Sequence, residues 1–119
     1  MKIAADILVA LVALLHVWFL VLEMFLWDKP LGLRTFRQTP ESAATSKRLA
    51  ANQGLYNGFL AAGLLWGLWL GSAGFGVKLF FLGCVLVAGV FGAATVGRKI
   101  LFVQALPAAI AMALVVAAN

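Results

Sequence analysis

The stretch IAADILVALVALLHVWFLVLEMFLW, residues 3–27, decides the fold of this chain. An apolar run of about 20 residues is long enough to cross the hydrocarbon core of a bilayer as a helix. This run carries His16 and Glu23, and ionisable side chains at membrane depth are costly. A separation of about two helical turns puts both side chains on one face, roughly 10 Å apart along the axis. Glu23 and His16 are therefore the candidate catalytic residues.

The composition of the chain favours a membrane protein over a soluble one. The 119 residues are 65% hydrophobic with a mean hydropathy of +1.07, more apolar surface than a soluble fold of this size can bury. The basic residues lie in the connections and form no continuous face, so the net charge of +5 indicates membrane topology and no nucleic-acid partner. Cys84 is the only cysteine, so no disulfide can form within the chain. His16 and Glu23 supply only two plausible metal ligands and no glycine-rich phosphate loop is present, so no metal site and no cofactor are predicted.

Four apolar segments predict an all-α fold with four transmembrane helices. The spans are expected at about residues 3–27, 49–70, 75–96 and 100–118, in a single integral-membrane domain of residues 1–119. Short turns at residues 71–74 and 97–99 should make neighbouring helices antiparallel, as in a four-helix bundle. The second helix should begin earlier than its span, with Thr39 as the cap and Pro40 as the first residue. Its first turns would then project into water.

Charge predicts the orientation of the bundle in the membrane. Seven basic residues fall on one side: Lys29, Arg34, Arg37, Lys47, Arg48, Arg98 and Lys99. Lys2 and Lys78 fall on the other. Basic connections stay in the cytoplasm, so the first and third connections should be cytoplasmic and both termini should lie outside.

Small residues predict how the helices pack. Gly54 and Gly58 recur at a spacing of four on the second helix, as do Gly63, Gly67 and Gly71, and Gly89, Ala93 and Gly97 do so on the third. Such rows permit close helix contact within one bundle, and a homodimer face is the alternative. Pro107 should kink the fourth helix or loosen its hydrogen bonding.

The polar side chains of the spans are predicted to share one layer near the cytoplasmic side. Glu23 would meet the ligand-binding candidates at this depth, and His16 would lie deeper, at the floor of a polar pocket. The ligand-binding candidates are Trp27, Asn52, Gln53, Tyr56, Asn57, Thr95 and Gln104. An unsatisfied polar group in hydrocarbon costs several kcal/mol, so these side chains should face inward and bond one another.

Each of these residues also has a purely structural interpretation. Glu23 could be protonated, bonded to Asn52 or Tyr56 as a clamp between helices, or paired with a cation at the interface. His16 could be a neutral core histidine, and the carboxamides could hold helices together.

The run NQGLYNGFLAAGL, residues 52–64, resembles the signature of a family of small bacterial integral membrane proteins with four helices, catalogued as domain of unknown function 1304. His16, Phe19, Glu23, Met24 and Trp27 match its first helix, and the Phe36 segment also matches. The resemblance covers essentially the whole chain. It implies a four-span protein of the bacterial inner membrane and no particular reaction.

Three functions stay open at this point. The first is binding of a lipid-like or amphiphilic small molecule in the pocket, with Glu23 and His16 available for proton transfer, as a double-bond isomerisation would require. The second is proton-coupled transport of a small molecule, which four helices could support only in an oligomer. The third is a structural or accessory role among membrane partners. Whether the protein is an enzyme is left open.

Overall fold

The computed structural model describes all residues from Met1 to Asn119 and contains helices joined by short turns. The helices are α1 (Lys2–Met24), α2 (Pro30–Phe36), α3 (Pro40–Trp69), α4 (Phe75–Thr95) and α5 (Leu106–Ala118). A 3₁₀ turn, Gly71–Gly74, joins α3 to α4, and a π-helical segment, Leu101–Ala105, leads into α5. The predicted all-α class is confirmed.

The helix ends follow from local chemistry. The hydroxyl of Thr39 accepts a hydrogen bond from the amide of Ser42 at 3.1 Å, so Thr39 caps α3 and Pro40 is its first residue, as predicted. The first helix ends at Met24, three residues earlier than predicted from hydropathy. Pro30 accounts for part of this difference, because it holds Lys29 in an extended conformation just beyond the helix.

Pro107 loosens the start of the last helix, as predicted. Proline has no amide hydrogen to donate to the carbonyl four residues earlier. The backbone before it is π-helical, and the amide of Leu106 bonds to the carbonyl of Leu101, five residues back. The apolar helix nevertheless continues from Leu101 to Ala118.

The chain divides into two compact units. The first, Met1–Leu14 with Leu60–Asn119, has an apolar core built from α1, α3, α4 and α5. Its fully buried members include Val9, Leu64, Leu82, Val85 and Ala108. The second unit, Leu15–Phe59, contains the end of α1, all of α2 and the beginning of α3. Because α1 and α3 each run through both units, this division leaves the predicted single domain of residues 1–119 untested.

Glycines let the helices approach closely inside each unit. In the first unit, a Cβ on Gly89 would lie 2.6 Å from the backbone nitrogen of Ala105. In the second, a Cβ on Gly54 would lie 2.7 Å from Cγ of Met24, and one on Gly58 would lie 2.7 Å from Cδ1 of Leu20. Several of the glycines in the predicted rows are therefore used to pack one molecule. A Cβ on Gly97 would meet nothing within 4 Å.

Three helical segments are long and apolar enough to cross a membrane: Lys2–Met24, Gly71–Thr95 and Leu101–Ala118. Only a third or less of each segment is buried on the isolated chain, and the exposed side chains include large ones such as Leu11, Phe80 and Ile110. A lipid environment would cover this surface at no hydrophobic cost. The remaining long helix, α3, is not among the three, because its first half carries many polar residues.

Candidate functional site

Glu23 is a buried carboxyl group in the last turn of α1. Glu23 is 5% exposed, and Nδ2 of Asn57 on α3 donates a hydrogen bond to Oε1 of Glu23. Gly54 lies one turn before Asn57, and a Cβ there would come within 3.1 Å of the Cβ of Glu23. The absent side chain therefore lets the two helices come close enough for the carboxyl and the carboxamide to meet.

His16 is fully buried in the same unit. Its ring stands edge-on to that of Phe19, with the centroids 5.2 Å apart and the planes at 74°. An edge-to-face contact of this kind stabilises a buried aromatic pair. The two candidate catalytic residues are thus both buried on α1, as the apolar run predicted.

The expectation that the carboxamides all face inward is wrong for Asn52 and Gln53, which are exposed on α3. Tyr56 is also exposed, and its ring makes an edge-on contact with Phe59 at 5.7 Å. Asn57 and Gly54 lie on the face of α3 that packs on α1, whereas Asn52 and Tyr56 point away from that face and Gln53 lies at its edge. Asn57 is the member of the group that reaches Glu23, and the suggested clamp through Asn52 or Tyr56 is replaced by one through Asn57.

Trp27 fastens the first connection to α3. Its indole Nε1 donates a hydrogen bond to the hydroxyl of Ser46 at 3.1 Å, and its ring lies 4.8 Å from that of Phe36 on α2. Trp27 is half-buried just beyond the end of α1. Its indole N–H is already bonded to Ser46, and its role in ligand binding stays a prediction.

An ion pair fixes the same connection at the surface. Nζ of Lys47 lies 2.9 Å from Oδ2 of Asp28. This hydrogen bond from Lys47 holds the pKa of the Asp28 carboxyl below its ordinary value. The pair is exposed, so its contribution to stability is small.

Thr95 and Gln104 belong to the other compact unit. Thr95 is exposed, and its hydroxyl donates to the carbonyl of Phe91 one turn earlier at 2.7 Å, so its hydrogen bond is made within α4. Gln104 is half-buried in the π-helical segment. The expectation that the Thr95 hydroxyl turns inward is wrong, and the role of Gln104 in ligand binding stays a prediction.

Sequence reasoning missed a second polar cluster, in the first unit. Lys78 in α4 is only 7% exposed, and its Nζ lies 3.5 Å from Oδ1 of Asp6 in α1. Both residues line a cavity of about 190 Å³. The signal was present in the sequence, since each is a single charge near the start of an apolar segment and antiparallel packing brings those two starts to one end.

The structure brings no group of three His, Cys, Asp or Glu side chains together to hold a metal ion. What it offers is a buried carboxyl bonded to a carboxamide, beside exposed polar groups on one helix. Such an arrangement can accept and donate hydrogen bonds to a polar group that enters from the surface of α3.

Three apolar helical segments long enough to cross a membrane indicate an α-helical, multi-pass membrane protein. The profile of the family described as "Protein of unknown function (DUF1304)" matches residues 10–116, and the chain belongs to this family. The chain is also similar to "Uncharacterized protein YpaA" of Lactococcus lactis subsp. lactis (strain IL1403), with 30% identity over 106 residues, covering 87% of this chain and 89% of that protein. No solved structure matches the chain.

Proposed function

We propose that this protein is a four-span protein of the bacterial cytoplasmic membrane that binds a lipid-like or amphiphilic small molecule beside Glu23 and Asn57. The observation that carries the proposal is the buried Glu23 carboxyl bonded to the Asn57 carboxamide. A carboxyl in an apolar surrounding is costly unless it is paired, and such groups inside membranes commonly mark sites of binding or proton transfer.

The position of both termini supports four crossings over three. Lys2, at the start of α1, lines the same cavity as Ser72 in the turn after α3 and Asn119 beyond α5. The start of α1 and the end of α3 therefore lie at the same end of the first unit. The chain can return to that end at Ser72, and again at Asn119, only after an even number of crossings. The polar helix α3 would then also cross the membrane, which makes four spans in all.

The charge distribution supports a cytoplasmic opening for the site. Asp28 and Lys47 flank the first connection, which also carries Arg34 and Arg37, and such basic connections remain in the cytoplasm. Glu23 lies one turn before this connection. A ligand would therefore enter from the cytoplasmic leaflet.

The mixed chemistry around Glu23 favours an amphiphile. Asn52, Gln53 and Tyr56 present exposed polar groups on α3, close to the turn that carries Asn57, while Phe59 and Leu55 expose apolar surface on the same helix. A ligand's polar head would bond to the carboxamides and Glu23, and its apolar part would lie along the helix in the lipid. His16, deeper on α1, would supply or take up a proton if the ligand reacts.

Native mass spectrometry of protein extracted in a mild detergent tests this proposal. We expect the wild-type chain to carry a specific adduct, and we expect Glu23→Gln to lower its occupancy about tenfold, since a hydrogen bond to a charged or buried group contributes about 1.5–3 kcal/mol. Glu41→Gln is the matched control, because Glu41 is exposed in the first turn of α3. A wild-type chain without any adduct beyond bulk lipid would refute ligand binding.

The second candidate is an oligomeric, proton-coupled transporter of small molecules. The exposure of Asn52 and Gln53 on a helix proposed to cross the membrane favours it, because a second copy could cover these carboxamides. Crosslinking in native membranes separates the two candidates: a strict monomer excludes the transporter. A purely structural or accessory role predicts that Glu23→Gln and His16→Ala reduce stability with no adduct lost.

A further inference from the structure

The cavity in the first compact unit is a second polar site, lined in part by the first turns of α1. It has a volume of about 190 Å³, and its polar lining residues are Lys2, Asp6, Ser72, Lys78 and Asn119. A single water needs only about 10–15 Å³ of such space, so a group of several heavy atoms fits. All of the lining residues lie within two turns of a helix end, which is the depth of lipid head groups in a protein whose helices cross the membrane.

Lys78 is the most deeply buried charged residue that lines this cavity. A buried ammonium needs partners for its three N–H groups. The contact of Nζ with Asp6 is 3.5 Å long, beyond the range of about 2.7–3.2 Å of a good hydrogen bond, and Asp6 turns 41% of its side chain to the outside. Lys78 therefore keeps donor capacity directed at the cavity.

The charges around the cavity favour an anion. Among the side chains that line the cavity, Lys2 and Lys78 are cationic and Asp6 is anionic, an excess of one positive charge. Lysine binds phosphate as a compact point charge, and Ser72 and Asn119 add neutral donors at the rim. We propose that this cavity binds a phosphate group, with Lys78 and Lys2 as its ligands, and that a membrane phospholipid supplies it as a head group.

A purely structural ion pair would make a different prediction for Asp6. If the pair only clamps α1 to α4, removing either partner weakens the same contact. If the cavity binds phosphate, Lys78→Gln removes a ligand, whereas Asp6→Asn removes a competing anion and strengthens binding. The two explanations therefore differ in the sign of one mutation.

The test is titration of the purified full chain with phosphatidylglycerol in micelles, followed by native mass spectrometry. We expect Lys78→Gln to raise the apparent Kd about tenfold, as loss of one charge-assisted hydrogen bond implies, and Asp6→Asn to lower it. Lys99→Gln, four residues beyond the C-terminal end of α4, is the matched control and should leave the Kd unchanged. Lys2 is exposed and belongs to no ion pair, so Lys2→Gln should fold normally. It should also raise the Kd, and it therefore tests the proposal if Lys78→Gln does not fold.

A parallel arm with inorganic phosphate identifies the source of the group. Lipid binding that depends on Lys78 and is not displaced by millimolar phosphate supports a lipid head group. Binding of phosphate alone that depends on Lys78 supports a soluble phosphate compound in the same site. The proposal is overturned if Lys78→Gln and Lys2→Gln bind lipid and phosphate as the wild type does, or if Asp6→Asn weakens binding as much as Lys78→Gln.

Discussion

At the scale of single residues, Asn57 shows how narrowly helix geometry selects among similar side chains. Three carboxamides lie within six positions of α3, yet only Asn57 faces α1 and bonds to Glu23, while Asn52 and Gln53 are exposed. The sequence placed all three at the depth of Glu23, because depth depends on position along the helix. It could not rank them, because rotation about the helix axis depends on packing at Gly54 and Gly58.

Asn57→Ala should destabilise the protein by about 1–2 kcal/mol, because it leaves a buried carboxyl without its hydrogen bond. Unfolding in micelles measures this change. Asn52→Ala makes the same chemical change at an exposed position and should have a much smaller effect. Equal losses of stability for the two variants would contradict the contact between Asn57 and Glu23.

The ion pair between Asp28 and Lys47 should give a small, pH-dependent contribution to stability. The pKa of Asp28 is lowered in the folded state, first by its hydrogen bond from Lys47, so the contribution is present above the ordinary carboxyl pKa of about 3.9 and is lost as the pH falls through the lowered value. Wild type and Asp28→Asn should therefore differ slightly in Tm at pH 6 and converge in strong acid. A difference that grows on acidification would reverse the assigned sign.

At the scale of elements, the helix boundaries show which local signals are dependable. Thr39 and Pro40 predicted the start of α3, and Pro107 predicted the irregular start of the last helix, because caps and missing amide donors act within one turn. The end of α1 was misplaced because Phe25, Leu26 and Trp27 continue the apolar run beyond the helix. Hydropathy reports burial in lipid or protein and does not distinguish the last helical turn from an apolar loop.

The contact between α4 and the π-helical segment depends on Gly89. Gly89→Ala would place a Cβ within 2.8 Å of the Cα of Ala105, so the segments must move apart, at a cost of about 1–3 kcal/mol. Gly83→Ala is the matched control on the same helix, since a Cβ there meets nothing within 4 Å and alanine favours helix. Unfolding measurements that show Gly83→Ala to be as damaging as Gly89→Ala would argue against this packing.

At the scale of the whole molecule, composition was enough to predict a multi-pass membrane protein, and the resemblance in residues 52–64 was enough to predict the family. The pair of Lys78 and Asp6 was missed because it joins residues 72 positions apart, and a contact of that range depends on the mutual arrangement of helices. The number of crossings is the point on which hydropathy and geometry differ. The apolar segments of the sequence predict four spans, whereas three helical segments of the structure are long and apolar enough to cross a membrane, and the cavity shared by Lys2, Ser72 and Asn119 supports the proposed four.

Single cysteines in a Cys84→Ala background decide the number of crossings. With four crossings, Ser72→Cys and Asn119→Cys should react with an impermeant maleimide on intact cells, and Arg98→Cys should react only after permeabilisation. With three crossings and the same outward N-terminus, Arg98→Cys should react on intact cells, and Ser72→Cys and Asn119→Cys should react only after permeabilisation. Glu41→Cys should be protected in both cases and reports on cell integrity.

The central claim is that an amphiphile binds beside Glu23 and Asn57, and NMR in lipid nanodiscs tests it most directly. The chain has 119 residues, and the side-chain amide protons of Asn57 can be observed individually in a deuterated protein. We predict intermolecular nuclear Overhauser effects between these protons and a bound ligand from the native membrane extract, and their loss in Glu23→Gln. If the Asn57 amide contacts only protein protons in the presence of that extract, the group is a clamp between helices and the proposed binding site is contradicted.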